Sequence, residues 1–162
     1  METSVTELSP SARRVQDAII SAGLECCVVE LPASTRTAQE AADAVGCGVG
    51  QIVKSLVFRG KQSGKGVFVA ASGANRVNEK RLKEYVGEGI EKATPEFVRE
   101  TTGFAIGGVS PVGHLQPLES YIDQDLLSYD ELWAAAGTPN AVFRLSPVDL
   151  THLTAGHVVS IA

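Results

Sequence analysis

A lysine inside an apolar run is the first residue that asks for an explanation. Lys54 stands in Ile52-Val53-Lys54-Ser55-Leu56-Val57-Phe58, a segment that reads as a strand. Burying an unpaired ammonium costs several kcal/mol. Side chains alternate along a strand, so Lys54 shares a face with Ile52, Leu56 and Phe58. That face is either open at Lys54, with the stem snorkelling to solvent at an edge position, or it lines a polar cavity. A second unusual stretch is Gly103-Phe104-Ala105-Ile106-Gly107-Gly108-Val109-Ser110-Pro111-Val112-Gly113-His114. Between Gly103 and Gly113 it holds four glycines and one proline, broken by apolar residues, unlike a linker. Gly107 and Gly108 remove side-chain bulk and permit positive φ, so backbone amides can approach a ligand, while Pro111 stiffens the exit. The loop can hold a carbonyl oxygen or a phosphate. Its spacing matches neither the P-loop nor the dinucleotide fingerprint, and a tight structural turn explains it equally well.

Other residue types offer less. Ser72-Gly73-Ala74-Asn75-Arg76 follows a strand and can border a pocket, with Arg76 near a phosphate, or be an ordinary connection. His114, His152 and His157 lack metal-ligand spacing, and neither Cys-x-x-Cys nor a G-x-S-x-G elbow occurs. No metal and no cofactor is expected. Ser110 and His114 lie four residues apart but make a poor candidate nucleophile pair. Asp123 and Asp125 read as capping or pairing groups, and His152 as a surface residue. Cys26, Cys27 and Cys47 read as small core residues rather than a disulfide framework.

These residues have to be positioned by a soluble domain of ordinary composition. Of 162 residues, 44% are hydrophobic and 20% charged, which fits one domain over residues 1–162, with 1–10 as a loose extension. No apolar run approaches the ~20 residues that span a bilayer. Met1 to Pro10 lacks the basic start and apolar stretch of a signal peptide, so a cytoplasmic protein is expected, without membrane contact. The net charge of −5 disfavours tight non-specific binding to DNA or RNA, which needs many phosphate contacts. Brief engagement of one RNA end through a local basic patch stays open.

Capping signals predict helices from Ser9-Pro10 to Ala22, from Thr37 to Val45, from Asn78 to Tyr85, from Thr94-Pro95 to Gly103, from Ser128 to Gly137 and from Ser146-Pro147 to Ala155. Strands are expected at Cys26–Leu31, Leu118–Ile122, Ala141–Leu145 and His157–Ile161. Ile52–Phe58 and Gly66–Ala71 should form a hairpin. Helices and strands alternate irregularly. The fold class is therefore α/β of the α+β type, with a mixed, mostly antiparallel sheet curled into a barrel-like core and helices outside.

Three separated segments in this order resemble a known family. Thr37-Ala38-Gln39-Glu40-Ala41-Ala42, Ile52-Val53-Lys54-Ser55-Leu56-Val57 and Gly103 to Gly113 look like the YbaK/ProRS-associated editing domain. The resemblance covers about Ala22 to the C-terminus. It implies a barrel-like mixed sheet and the hydrolysis of mischarged tRNA, often tRNA for proline carrying alanine or cysteine. It places the family's essential lysine on Lys54 and its G-x-x-x-P loop on Gly107 to Pro111. Cysteine-specific members carry an aspartate in the late strand where this chain reads Ala141-Val142-Phe143-Arg144. That departure weighs against cysteine and leaves a small amino acid such as alanine.

On this resemblance Lys54, Gly107 and Gly108 are the expected catalytic positions. Thr35, Ser72, Gly73, Ser110, Pro111 and His114 are expected to border the substrate. Amides around Gly107–Ser110 would hold the carbonyl oxygen as it gains charge, while Lys54 would bind a terminal phosphate or polarise the ester. The partners implied are mischarged tRNA and prolyl-tRNA synthetase or another synthetase. The alternative is a module with the same pocket that binds tRNA ends or a small acyl ligand without turnover. A purely structural protein would pair Lys54 on its outer surface.

Overall fold

The fold, a computed structural model describing residues 8–32, 34–35 and 37–162, starts its helices where the capping residues stand. Ser9 caps α1 (Pro10–Ser21), and Thr37 with Glu40 closes a capping box on α2 (Ala38–Val45). Asn78 caps α3 (Glu79–Val86), Thr94 caps α4 (Pro95–Thr102) and Ser146 caps α5 (Pro147–Thr154). In each case the side-chain oxygen accepts one of the amides that the first helical turn leaves without a partner. The strands are β1 (Val28–Glu30), β2 (Ile52–Gly60), β3 (Gly66–Ser72), β4 (Ile90–Lys92), β5 (Glu119–Asp123), β6 (Leu132–Ala135), β7 (Ala141–Leu145) and β8 (His157–Val159).

One expected helix is a strand. Ser128 to Gly137 carries a capping signal and four helix-forming alanines and leucines, yet residues 132–135 form β6. Burial alternates along it: Leu132 and Ala134 are buried, and Trp133 and Ala135 half-buried. β6 pairs in parallel with β2 (Ile52 opposite Trp133) and antiparallel with β7 (Leu132 opposite Leu145). Two ladders of hydrogen bonds outweigh a few tenths of a kcal/mol per residue of helix preference. β4, also not expected, forms beside the far end of β2.

The sheet is mixed, in the order β1-β7-β6-β2-β3-β5-β8, with β4 pairing β2. The ladder is an open path: no hydrogen-bonded pairing joins β1 to β8 among the described residues, so the barrel-like closure expected from the sequence is not made by strand pairing. Both faces are covered. Val53, Val57, Phe68, Ile122 and Phe143 pack with Val15 and Ile19 of α1, Val98 of α4 and Leu150 of α5. Phe58, Val69, Ala71 and Tyr121 pack with Leu82 of α3 on the other side. Leu8 is buried and Ser9 N donates to Glu30 Oε1, so the chain is already anchored at residues 8–10; the rest of the expected loose extension lies outside the described residues. Of the cysteines expected in the core, Cys26 and Cys47 are half-buried and pack against it, whereas Cys27 is exposed. No helix among the described residues is long and apolar enough to cross a membrane.

Candidate active site

The site exists because β2 changes partner along its outer edge. β6 pairs with it only at Ile52 and Val53, and β4 only from Phe58 to Gly60. Between them the Lys54–Leu56 edge faces a cleft instead of a strand. Consecutive residues Val53, Lys54, Ser55 and Leu56 all line that cleft, although their side chains alternate between faces. Such a lining is possible only where a cavity abuts the edge of a strand.

Two cavities meet at this edge. One, of about 400 Å³, is walled by Thr35, Ala41, Val53, Trp133, Ala134 and Val142. The other, of about 580 Å³, reaches Arg76, Val77, Glu79, Lys92 and Val98. Lys54, Ser55, Leu56, Ile106, Gly107 and Val109 line both. The lysine and the glycine-rich loop, picked out separately in the sequence, therefore face one space.

Lys54 is half-buried, and its Nζ donates to the carbonyl of Asn75. Burial, then repulsion from Arg76, holds its pKa below the ordinary lysine value, against the opposing pull of Asp123. The Asn75 carbonyl is held in place from behind. Asn75 Nδ2 donates to Asp123 Oδ2 at 2.9 Å and Asp125 Oδ2 at 2.7 Å, and Ser72 N donates to Asp123 Oδ2 at 3.0 Å. Asp123 is 1% exposed, so this chain of bonds is an internal brace for the lysine. The expectation that Asp123 and Asp125 pair rather than react agrees with this geometry.

The loop presents fewer amides than its glycines suggest. Gly107 takes φ 94°, in the left-handed region where a side chain is disfavoured. Gly108 N donates to Ala105 O at 3.0 Å, and Gly108 O accepts from Gly137 N at 2.9 Å. Gly108 thus faces the Gly137–Thr138 backbone rather than the cleft, and a Cβ there would sit 2.9 Å from Thr138 Cα. Among the described residues no acceptor takes the amides of Ile106, Gly107 or Val109, the three loop residues that line both cavities.

The remaining expected residues divide. Thr35 lines the smaller cavity, its Oγ1 donating to Pro139 O at 2.7 Å. Ser72 does not reach the cleft; it is buried and its Oγ donates to Gly50 O at 2.7 Å. Gly73 is packed so closely that a Cβ would lie 2.3 Å from Val49 O. Ser110 is fully buried, its Oγ accepting from Val112 N. Pro111 and His114 line a different hollow, beside Leu115 and Leu118. His114 Nε2 donates to Ser110 O at 2.6 Å, and its ring packs against Phe68 and Phe104. Its bond is to the serine carbonyl and not to the hydroxyl, so the two form no nucleophile pair. These residues shape and pin the loop from below. Burial, with Arg14 as a further cause, pushes the His114 pKa down against the pull of the Ser110 carbonyl. Among the described residues no group of three or more His, Cys, Asp or Glu could hold a metal ion.

Sequence reasoning missed Trp133, Ala134 and Ala135, because they were assigned to a helix. It missed Val142 and Ser55 because ordinary residue types carry no signal. Alternation along β2 could have shown Ser55 beside Lys54, but not that the strand edge there is free.

The aminoacyl-tRNA editing domain profile matches residues 32–153. YwhH of Bacillus subtilis, a protein without an assigned role, is 31% identical over 127 residues, covering 78% of this chain and 80% of its own. EbsC of Enterococcus faecalis, named as a candidate Cys-tRNA(Pro)/Cys-tRNA(Cys) deacylase, is 27% identical over 126 residues, with 77% and 76% covered. The proline–tRNA ligase of Thermosipho melanesiensis is 37% identical over 81 residues; these are 49% of this chain but only 14% of the ligase. Among solved structures, a candidate trans-editing enzyme for prolyl-tRNA synthetase superposes with TM-score 0.90 at 56% identity, covering 95% of this chain and 98% of that one. The hypothetical protein APE2540 superposes with TM-score 0.84 at 30% identity, covering 91% and 98%.

Proposed function

Because this chain belongs to the aminoacyl-tRNA editing domain family, we propose that it is a free-standing deacylase that hydrolyses the ester of mischarged tRNA. Its substrate is tRNA for proline carrying a small amino acid such as alanine. The observation that carries this reading is the shared lining: Lys54 and the unpartnered Gly107 and Val109 amides border the same two joined cavities. An aminoacyl ester is already activated, so hydrolysis requires a placed water and stabilisation of the oxyanion. Each good backbone donor is worth about 3 kcal/mol in the transition state. In this reading Gly107 and Val109 supply the donors, and Gly108 supports them through its packing on Thr138.

The two cavities divide the substrate. The smaller, with Val53, Val109, Ala134 and Val142, takes the amino-acid side chain, and its apolar walls favour a small aliphatic group. The larger, edged by Arg76 and Lys92, takes the terminal nucleotide, whose phosphate their charges suit. Lys54 stands where the halves join and steadies the ester end. Thr35 borders the amino acid, and Ser72, Gly73, Ser110, Pro111 and His114 act by holding the walls. The whole chain works as one editing domain in the cytoplasm, where it meets charged tRNA. The overall charge of −5 leaves few phosphate contacts of its own, so a prolyl-tRNA synthetase partner would supply the remaining RNA surface.

The experiment is a panel of tRNA(Pro) charged with alanine, serine, cysteine or proline, incubated with the protein. Release of alanine well above the spontaneous rate, with proline spared, is the expected result. Binding without release of any amino acid, even with protein in excess over RNA, would replace the enzyme by a module that only holds tRNA ends.

A further inference from the structure

Ser55 is the residue whose chemistry the fold leaves unused. Its Oγ is buried and has no hydrogen-bond partner among the described residues. Burying a hydroxyl without a partner is unfavourable, and native structures rarely do it without a reason. The backbone of Ser55 is in the same condition. Val57 O accepts from Ala93 N on the outer edge of β2. Backbone groups repeat every second residue along a strand, so the Ser55 N–H and C=O point to that edge too. There β6 has already ended and β4 has not begun, so they pair with neither strand.

The other polar side chains of the smaller cavity are committed. Thr35 Oγ1 donates to Pro139 O, Thr37 Oγ1 accepts from Glu40 N, and Lys54 Nζ donates to Asn75 O. Ser55 alone among these has an uncommitted hydroxyl, enclosed beside the cleft, and an uncommitted carbonyl on the strand edge that borders it; the cleft walls are mostly aliphatic. It lines both cavities, whereas Val142, Trp133 and Thr35 line only the smaller one. A residue at the junction touches the atoms next to the ester rather than the far end of a side chain.

Resting on the deacylase reading above, we propose that Ser55 recognises the α-amino group of the bound aminoacyl ester. The amino nitrogen is attached to the carbon beside the ester carbonyl, and so falls at the junction when the side chain enters the smaller cavity. It donates to the Ser55 carbonyl on the open strand edge, and to the hydroxyl once a χ1 change turns that group from its enclosed position to the cleft, giving it the partner the protein withholds. Ser55 thereby makes the site selective for an amino acid ester over an otherwise equal acyl ester.

The test compares two esters of the same tRNA(Pro), alanyl and propionyl, which differ by the amino group, with the wild type and Ser55→Ala. Comparing the ratio of rates between proteins cancels the different intrinsic reactivity of the esters. Hydrogen bonds to charged groups predict that Ser55→Ala slows alanyl release about tenfold and leaves propionyl release within about twofold. A thermal melt of Ser55→Ala should match or exceed the wild type, since the change removes an unpartnered hydroxyl. Equal slowing of both esters would make Ser55 a structural support and overturn the proposal, as would an unchanged rate on both. If the wild type released neither acyl group, the deacylase reading itself would fail, and this inference with it.

Discussion

The two cavities that meet at Lys54 share one strand and one loop, yet the rest of their linings differ in chemical character. The smaller is closed by β6, β7 and α2 and offers aliphatic walls. The larger opens past β4 and α3 and offers Arg76, Lys92 and Glu79, all exposed. In the proposed reading one discriminates by shape, the other by charge. The difference follows from the divided edge of β2: the partner at one end is a central strand packed on both sides, and the partner at the other is a three-residue strand at the surface. What the two share should matter most to activity, and what separates them should affect selectivity and affinity independently.

The largest effect is expected at the shared residue. Lys54→Ala should reduce deacylation by about a hundredfold or more while the circular dichroism spectrum and melting temperature hold, because its loss affects both halves of the substrate. A variant with normal turnover would show that the cavities meet without Lys54 having a role. Next comes the loop. Gly108→Ala forces a Cβ against Thr138 backbone at 2.9 Å. Overpacking of this kind costs about 1–3 kcal/mol, so both the melting temperature and kcat should fall.

Selectivity should separate the cavities. Val142→Ala enlarges the smaller cavity and should shift preference towards larger aliphatic amino acids by about tenfold, with affinity for uncharged tRNA unchanged. Lys92→Ala should weaken tRNA binding by a few-fold, less so at high salt, with the preference among amino acids unchanged. Measuring kcat/KM for each charged tRNA in both variants tests this; if either residue altered both properties, the division would be wrong.

The pH dependences are the smallest effects. Lys54 is held below its ordinary pKa of 10.5, so activity that needs the ammonium should decline with rising pH before a free lysine would lose its proton. Asp123 opposes that shift, so Asp123→Asn should move the decline to still lower pH. His114 is also lowered, from 6.5. The unfolded chain therefore binds the extra proton first. Stability should be fully present above about pH 6.5 and fall as pH drops towards the lower folded value. Denaturant titrations of the wild type and His114→Asn should show this slope only in the wild type.

The contrast between the cavities also marks what could be read from sequence. That Lys54 and Gly107 border a cleft was legible, because an ammonium in an apolar run and a glycine pair in a loop each call for a physical reason. Helix starts were legible because capping is local: Ser9, Thr37, Asn78, Thr94 and Ser146 each satisfy amides within three residues. β6 was not, because Leu132-Trp133-Ala134-Ala135 forms a strand only through partners some eighty residues earlier and ten later. Assigning it to a helix hid the wall of the smaller cavity. Ser72, Gly73 and His114 looked like pocket residues from their neighbours in the chain, but their hydrogen bonds and packing turn them to support. Ser55 was invisible for the opposite reason, since nothing local distinguishes it from any other strand serine.

An interrupted edge in a sheet carries a hazard that the interruption itself contains. Bare peptide groups along a strand invite pairing by another chain and are a common start of aggregation. Here the bare stretch spans only Lys54–Leu56, bounded by β6 and β4 and overhung by Ile106–Val109. A foreign strand would need several outward-facing peptide groups in a row and finds only those of Ser55, in a recess. The protein can therefore keep open backbone for a small molecule while denying it to a polypeptide.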